Sequence, residues 1–260
     1  FIDEVGYPVV VKPDNGVGAS HNFKITNDEE LAAFYKQRHE GVVYIMEEFV
    51  NGEVCSYDAI IDSKGNILFE TGNVTPGSIM DMVNQSDDCK FYIVKDLPED
   101  TKRAGRATVK AFGVKSRFVH FEFFRLRQDQ KGLGRRGEIM ALEVNMRPCG
   151  GFGPDMMDYA NSTDVYKIWA DMIAFDRSTK PEGAHAFCAY VGRREAVSAQ
   201  PRRNPLALWG CCPYVRSPAG CAECCHGQSV LYGNLPRNGG GRSIFCRSLG
   251  IGVKFFDTHK

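Results

Sequence analysis

Glu122 stands in the middle of Phe118-Val119-His120-Phe121-Glu122-Phe123-Phe124, and no feature constrains the fold of this chain more. The run has the aromatic and branched composition of a strand, and a carboxylate among those rings is costly unless a cation or hydrogen bonds compensate it. A second stretch supplies company. Leu142-Glu143-Val144-Asn145-Met146-Arg147, reached by Ile139-Met140-Ala141 and followed by Pro148-Cys149-Gly150-Gly151, alternates so that Glu143, Asn145 and Arg147 share one strand face. Between the two runs, residues 125–138 are polar and contain Gly132, Gly134 and Gly137, the pattern of a hairpin turn that sets Glu122 beside Glu143.

A carboxylate, an amide oxygen and a guanidinium suit Mg²⁺ held against a polyphosphate. Mg²⁺ takes a few hard oxygen ligands plus substrate phosphates, and Arg pairs with phosphate oxygens through its planar fork. An alternating strand with a wet outer face explains Glu143, Asn145 and Arg147 equally well on their own. It is the second carboxylate, on an adjacent strand, that makes a metal site of them.

Upstream, Tyr7-Pro8-Val9-Val10-Val11-Lys12-Pro13 reads as a short buried strand, and Asp14-Asn15-Gly16-Val17-Gly18-Ala19-Ser20-His21 as a glycine loop before a second strand, Asn22 to Ile25. Such a loop either wraps phosphate oxygens with backbone N–H groups, helped by the charge of Lys12, or is simply a hairpin turn. Because the lysine precedes the glycines, it is not a Walker A loop. A helix starting at Thr26 or Asn27 runs through Leu31, Phe34 and Tyr35. Tyr44-Ile45-Met46-Glu47-Glu48-Phe49-Val50-Asn51-Gly52-Glu53 is an apolar strand running into acids and a glycine turn. It is an edge that can offer main-chain groups to a purine, with Glu53 towards ribose, or a plain strand end with solvated acids.

Two more strands, Val54 to Ile61 and Ile67 to Glu70, flank a turn at residues 62–66. A polar loop fills 72–89, and a helix covers 100–112. Residues 152–161 and 164–175 have the spacing of core helices, and residues 184–191 read as a strand. At 260 residues the chain has room for a substantial core, its formal charge is zero, and no apolar run approaches the roughly 20 residues of a membrane span. That balance gives no sign of a nucleic-acid or membrane partner. The chain opens at Phe1 without a methionine, the mark of a sequence that starts inside a longer protein.

Lys12 with its glycine loop, the segment Glu47 to Glu53, Glu122, and Glu143-Val144-Asn145-Met146-Arg147 occur in an order that resembles the ATP-grasp superfamily over about residues 1–192, nearest its biotin carboxylase and amino-acid ligase branch. The resemblance implies an α+β fold with a small lid subdomain over residues 1–50 and a larger antiparallel-sheet subdomain over residues 51–192. By the same resemblance Lys12 contacts ATP phosphates, and the loop with Asn15, Gly16, Gly18 and Ser20 closes over them. Glu47, Glu48, Phe49 and Val50 hold adenine, through main-chain atoms of Glu47 and Val50, and Glu53 binds ribose. Glu122, Glu143 and Asn145 ligate Mg²⁺ (Mn²⁺ as an alternative), and Arg147 steadies the transferred phosphate.

The activity so implied is that of a cytoplasmic ligase, which activates a small-molecule carboxylate as an acyl-phosphate and passes it to an amine or similar nucleophile. An ATP-grasp kinase or carboxylase and a non-catalytic ATP-binding fragment are the alternatives. The resemblance also implies an N-terminal α/β domain and an upstream nucleotide-contacting lysine that this sequence does not contain, so these 260 residues are expected to bind Mg-ATP weakly without turning it over.

Residues 193–260 read as an irregular tail. Six of the ten cysteines lie there, and from Ala196 onward it has eight basic and two acidic residues against 24 and 30 in the rest. Cys211, Cys212, Cys221, Cys224, Cys225 and His226 suggest a zinc knuckle with nucleic acid as partner. The competing reading, preferred here, is an out-of-frame translation with no evolved core.

Overall fold

The computed structural model describes residues 1–15, 22–76, 89–179 and 183–192, with four three-residue strands beyond them. After a short helix α1 (Ile2–Val5), β1 (Val9–Pro13) pairs antiparallel with β2 (Phe23–Ile25) on one side and β3 (Tyr44–Glu48) on the other. Alternation along β1 sends Val9 and Val11 into a core with Ile25 and with Phe34 of α2 (Asp28–Gln37). The start of α2 is fixed by its sequence. Asn27 accepts from the Glu30 N–H at 2.8 Å, while the Glu30 carboxylate accepts from the N–H and hydroxyl of Thr26 at 2.7 and 2.9 Å. This reciprocal pairing satisfies groups that a helix end leaves open. Tyr35 points outward, at 54% exposure.

Past β3 the chain changes sheets. β4 (Gly52–Ile61) lies inside a nine-stranded sheet, ordered β11-β12-β10-β7-β6-β4-β8-β9, with β5 (Ile67–Thr71) also paired to β4. The other members are β6 (Asn73–Thr75), β7 (Cys89–Ile93), β8 (Arg117–Leu126), β9 (Ile139–Asn145), β10 (Cys188–Gly192), β11 (Tyr214–Arg216) and β12 (Val230–Tyr232). A separate pair joins β13 (Ile244–Cys246) to β14 (Ile251–Val253). Against expectation, the stretch read as a loop contains β6 and the start of β7, and β10 begins only at Cys188, because the Ala186 N–H is taken by the Ala160 carbonyl at 2.7 Å. β11 and β12 extend the sheet where no strand was foreseen. Cys211, Cys212, Cys221, Cys224, Cys225 and His226, on which the zinc reading rests, lie outside the described residues.

Each face of the large sheet has its own apolar layer. Cys55, Tyr57, Ala59 and Ile61 of β4 and Val119, Phe121 and Phe123 of β8 pack towards α3 (Glu99–Ala111). On the other face Ile60 and Phe118 pack under α4 (Gly153–Asn161) and α5 (Val165–Phe175). α3 approaches so closely that a Cβ on Gly105 would lie 2.0 Å from Tyr57 Cγ, and the Tyr57 ring is fully buried. Arg125 of β8 ties down the start of α3, pairing through Nη1 with Asp100 Oδ2 and through Nη2 with Oδ1 at 2.9 Å.

Two predictions follow from this packing. Gly105→Ala forces the Tyr57 ring or the helix to shift, and overpacking of this kind costs about 1–3 kcal/mol, read as a lower denaturation midpoint. The Arg125 hydrogen bonds, acting against burial, hold the Asp100 carboxyl at about 2, below the ordinary 3.8. A lowered native pKa stabilises above the unfolded value, and that contribution fades as pH falls through the native one. The stability gap between wild type and Asp100→Asn should therefore be full above pH 3.8 and close towards pH 2 in urea titrations.

Candidate functional site

On the face that carries Ile60 and Phe118, the next positions along β4, β8 and β9 are polar, and antiparallel pairing sets them in two ranks. Ser56 is opposite Glu122 and Glu122 opposite Glu143; in the adjoining rank Asp58 is opposite His120 and His120 opposite Asn145. Directly opposed side chains share a face with Cβ atoms about 4.5–5.5 Å apart. Glu122 and Glu143 therefore stand side by side, as a shared cation requires, and Asn145 is one rank away.

Glu122 has a neighbour that the sequence reading passed over. His120 Nε2 is 3.2 Å from Glu122 Oε1, and its Nδ1 is 2.8 Å from Asp58 Oδ1. Asp58 is completely buried; its Oδ2 accepts from Ser56 Oγ at 2.5 Å, and that hydroxyl oxygen accepts from the Asn73 N–H at 2.8 Å. Burial works against charge on His120, but the pull of Asp58 and the hydrogen bonds to Asp58 and Glu122 raise its pKa to about 10. Both ring nitrogens then donate. Cys149 completes the cluster, with ligand atoms of Asp58, His120 and Cys149 all within 4.8 Å of one another. Burial and the nearby Asp58 charge push its thiol up, so it is a poor nucleophile. The one sequence signal for this cluster was period-two spacing: Asp58 two residues after Ser56, and His120 two before Glu122, inside otherwise apolar strands.

Lys12 lies on the β1 face opposite its core side, and its Nζ pairs with Glu47 Oε2 at 2.5 Å. Glu48 is opposite Val9 at the end of the pairing. The crossing from the small sheet to the large one, residues 49–51, is held from both directions. The Phe49 N–H donates to the Pro8 carbonyl at 3.3 Å, and Lys24 Nζ sits 4.1 Å over the Phe49 ring. From the other side, Gln130 Nε2 donates to the Phe49 carbonyl at 3.0 Å and Gln130 Oε1 accepts from the Asn51 N–H at 2.6 Å, while the Arg127 N–H donates to the Asn51 carbonyl at 2.9 Å. Val50 lies between the two clamped residues. Gln130 was not foreseen; it sits in the β8–β9 turn, where no spacing rule singles it out.

Other predicted residues are not drawn into this group. Glu53 shares the β4 face of Cys55 and Tyr57 by alternation, opposite Arg125, with Arg127 Nη2 at 4.0 Å. Arg147 lies beyond the end of β9 and turns its Nη1 to the Pro148 carbonyl at 3.0 Å. Asn15 is exposed at the start of the glycine loop, and Gly16, Gly18 and Ser20 fall outside the described residues.

Residues 2–79 match the family model of the ATP-grasp domain. Among solved structures, N5-carboxyaminoimidazole synthetase from Staphylococcus aureus, complexed with ADP, superimposes with a TM-score of 0.65 at 10% identity, covering 91% of this chain and 59% of that one. The chain has the ATP-grasp fold. L-amino acid ligase from Bacillus licheniformis gives a TM-score of 0.59 at 15% identity over 90% of this chain and 60% of that one. Phosphoribosylglycinamide synthetase from Anaerococcus prevotii gives 0.53 at 14%, over 90% and 61%. This chain thus spans about 60% of the length of these structures. A search of curated proteins returns no match. The ATP-grasp model match takes in Lys12 and the 47–53 segment but ends before β8 and β9, so the carboxylate pair stands on strand register.

Removing Gln130 leaves the Phe49 carbonyl and Asn51 N–H without their partner. Hydrogen bonds of this kind contribute about 0.5–1.5 kcal/mol each, so in Gln130→Ala the Asn51 amide should exchange roughly tenfold faster by hydrogen-exchange mass spectrometry, with the β4 amides unchanged.

Proposed function

We propose that this chain is the nucleotide-binding core of a Mg-ATP-dependent ligase that activates a carboxylate as an acyl-phosphate and joins it to an amine or similar nucleophile. The observation that carries this reading is Glu122 directly opposite Glu143, with Asn145 in the next rank, on the large sheet of an ATP-grasp fold. These are hard oxygen donors on adjacent strands, the donor set that Mg²⁺ takes together with substrate phosphates. The site therefore fits the ion, which would supply charge neutralisation at the β- and γ-phosphates. The fold neighbours named above include two synthetases and a ligase, one of them an ADP complex by its description, which supports a nucleotide as ligand.

In this reading the chain's own groups position and neutralise, which is most of what phosphoryl transfer needs. The main chain around Glu47 to Val50, fixed by Pro8 and Gln130, presents an edge for adenine. Lys12 brings its ammonium to the phosphates; Glu47 takes one of its three donors and keeps the side chain in place. Arg147 follows the metal-ligand strand and steadies the group in transfer. A substrate carboxylate oxygen attacks the γ-phosphorus, ADP departs with the electron pair of the broken P–O bond, and the nucleophile then displaces phosphate from the acyl carbon. No nucleophilic side chain of the protein takes part.

Calorimetry with ATP and Mg²⁺ tests the nucleotide site. Wild type should bind Mg-ATP, Lys12→Ala should bind about ten- to a hundredfold more weakly, as expected for loss of one charge-assisted contact of about 1.5–3 kcal/mol, and Glu143→Gln should lose the Mg²⁺ dependence. Absence of ATP binding at any accessible concentration would sink the reading. Phosphate release over a panel of carboxylates and amines should stay at background for these 260 residues; acceptor-dependent release abolished by Glu143→Gln would show that they carry an acceptor site of their own.

A further inference from the structure

Glu122 is anchored from behind. A continuous line of close polar contacts runs from the Asn73 N–H to Ser56 Oγ, from the Ser56 hydroxyl to Asp58 Oδ2, from Asp58 Oδ1 to His120 Nδ1 at 2.8 Å, and from His120 Nε2 to Glu122 Oε1 at 3.2 Å. It begins on a backbone amide of β6, crosses β4 and ends on β8, and each member before Glu122 is at least nine-tenths buried. A glutamate side chain has three rotatable bonds, and holding them costs conformational entropy. A ligand that is already held loses less on binding a cation.

We propose that His120, itself fixed by Asp58, is a positioning residue for Glu122: by occupying Oε1 it leaves Oε2 as the oxygen presented to a divalent cation shared with Glu143. This rests on the metal reading of the Glu122–Glu143 pair given above. Both nitrogens of His120 are engaged, so the imidazole acts on the site through Glu122 and is not itself a ligand. Outer partners of this kind orient ligating carboxylates and typically change metal affinity by 10–100-fold when removed.

The test uses Mn²⁺ as a paramagnetic probe, titrated into the full chain with ATP and followed by electron paramagnetic resonance. His120→Ala should weaken Mn²⁺ binding by about 10–100-fold and broaden the Mn²⁺ lines, while metal-free ATP affinity stays at the wild-type value. His120→Gln, whose amide can donate to Glu122, should recover part of the loss. Asp58→Asn keeps the volume and leaves His120 in place but weakens its anchor, so it should show a smaller loss of the same sign. That variant decides the matter if His120→Ala does not melt cooperatively. Wild-type Mn²⁺ affinity in a cooperatively melting His120→Ala would overturn the proposal, as would nitrogen hyperfine couplings from an imidazole bound directly to Mn²⁺. Glu122→Gln and Glu143→Gln separate the two levels. If both abolish Mn²⁺ binding while His120→Ala does nothing, positioning alone fails; if neither alters it, the metal reading fails and positioning falls with it.

Discussion

Asp58 carries a carboxylate into the centre of a ten-residue strand with no exposure to water. Such a group is tolerated only where hydrogen bonds and an opposite charge replace the solvent it has lost, and the surrounding architecture meets that demand. Ser56 comes from the same strand, His120 from the strand beside it, and the Asn73 amide from the strand on the other side. If the pairing of β4 with β8 slipped by one residue, His120 would move to the apolar face and leave Asp58 buried without its cation. The polar line thus specifies the β4–β8 register as well as supporting a site, and with it the side of β4 on which Glu122 stands.

Period-two alternation made the carboxylate pair legible in the sequence, because one polar residue in a run of aromatics has few places to go. The same rule applied to Val54-Cys55-Ser56-Tyr57-Asp58 would have found Ser56 and Asp58, but a polar residue in a strand flanking a turn looks like an ordinary outer face. What separates Asp58 from an outer-face residue is that β8 lies against it, which is a long-range fact. His120 was hidden for a similar reason: beside Glu122 it reads as one more ring. Gln130 left no mark at all, since its partners are backbone groups about 80 residues away and any residue can supply those. β6 was missed because a three-residue strand is too short to show a period.

The crossing between sheets shows how a connection can be stiff without secondary structure. Phe49, Val50 and Asn51 belong to neither sheet, yet backbone groups on either side of Val50 are taken up by Pro8, Gln130 and Arg127. Gln130 and Arg127 belong to the connection between β8 and β9, whose strands carry Glu122 and Glu143. One hairpin therefore places the carboxylates with its strands and braces the inter-sheet crossing with its turn.

The register of that hairpin shifts between Glu122 and Phe123. Glu143 is opposite Glu122, but Ala141 is opposite Phe123, so Leu142 is the extra residue. Ile139 and Val144 both pack towards α3, although five positions separate them and strict alternation would put them on opposite faces. The strand is two half-strands out of phase, joined at a bulge. Odd-numbered positions are outward in one half and inward in the other. A substitution scan through β9 would record a tolerance pattern that inverts at Leu142, and deleting that single residue would bring the halves back into step at the expense of one face or the other.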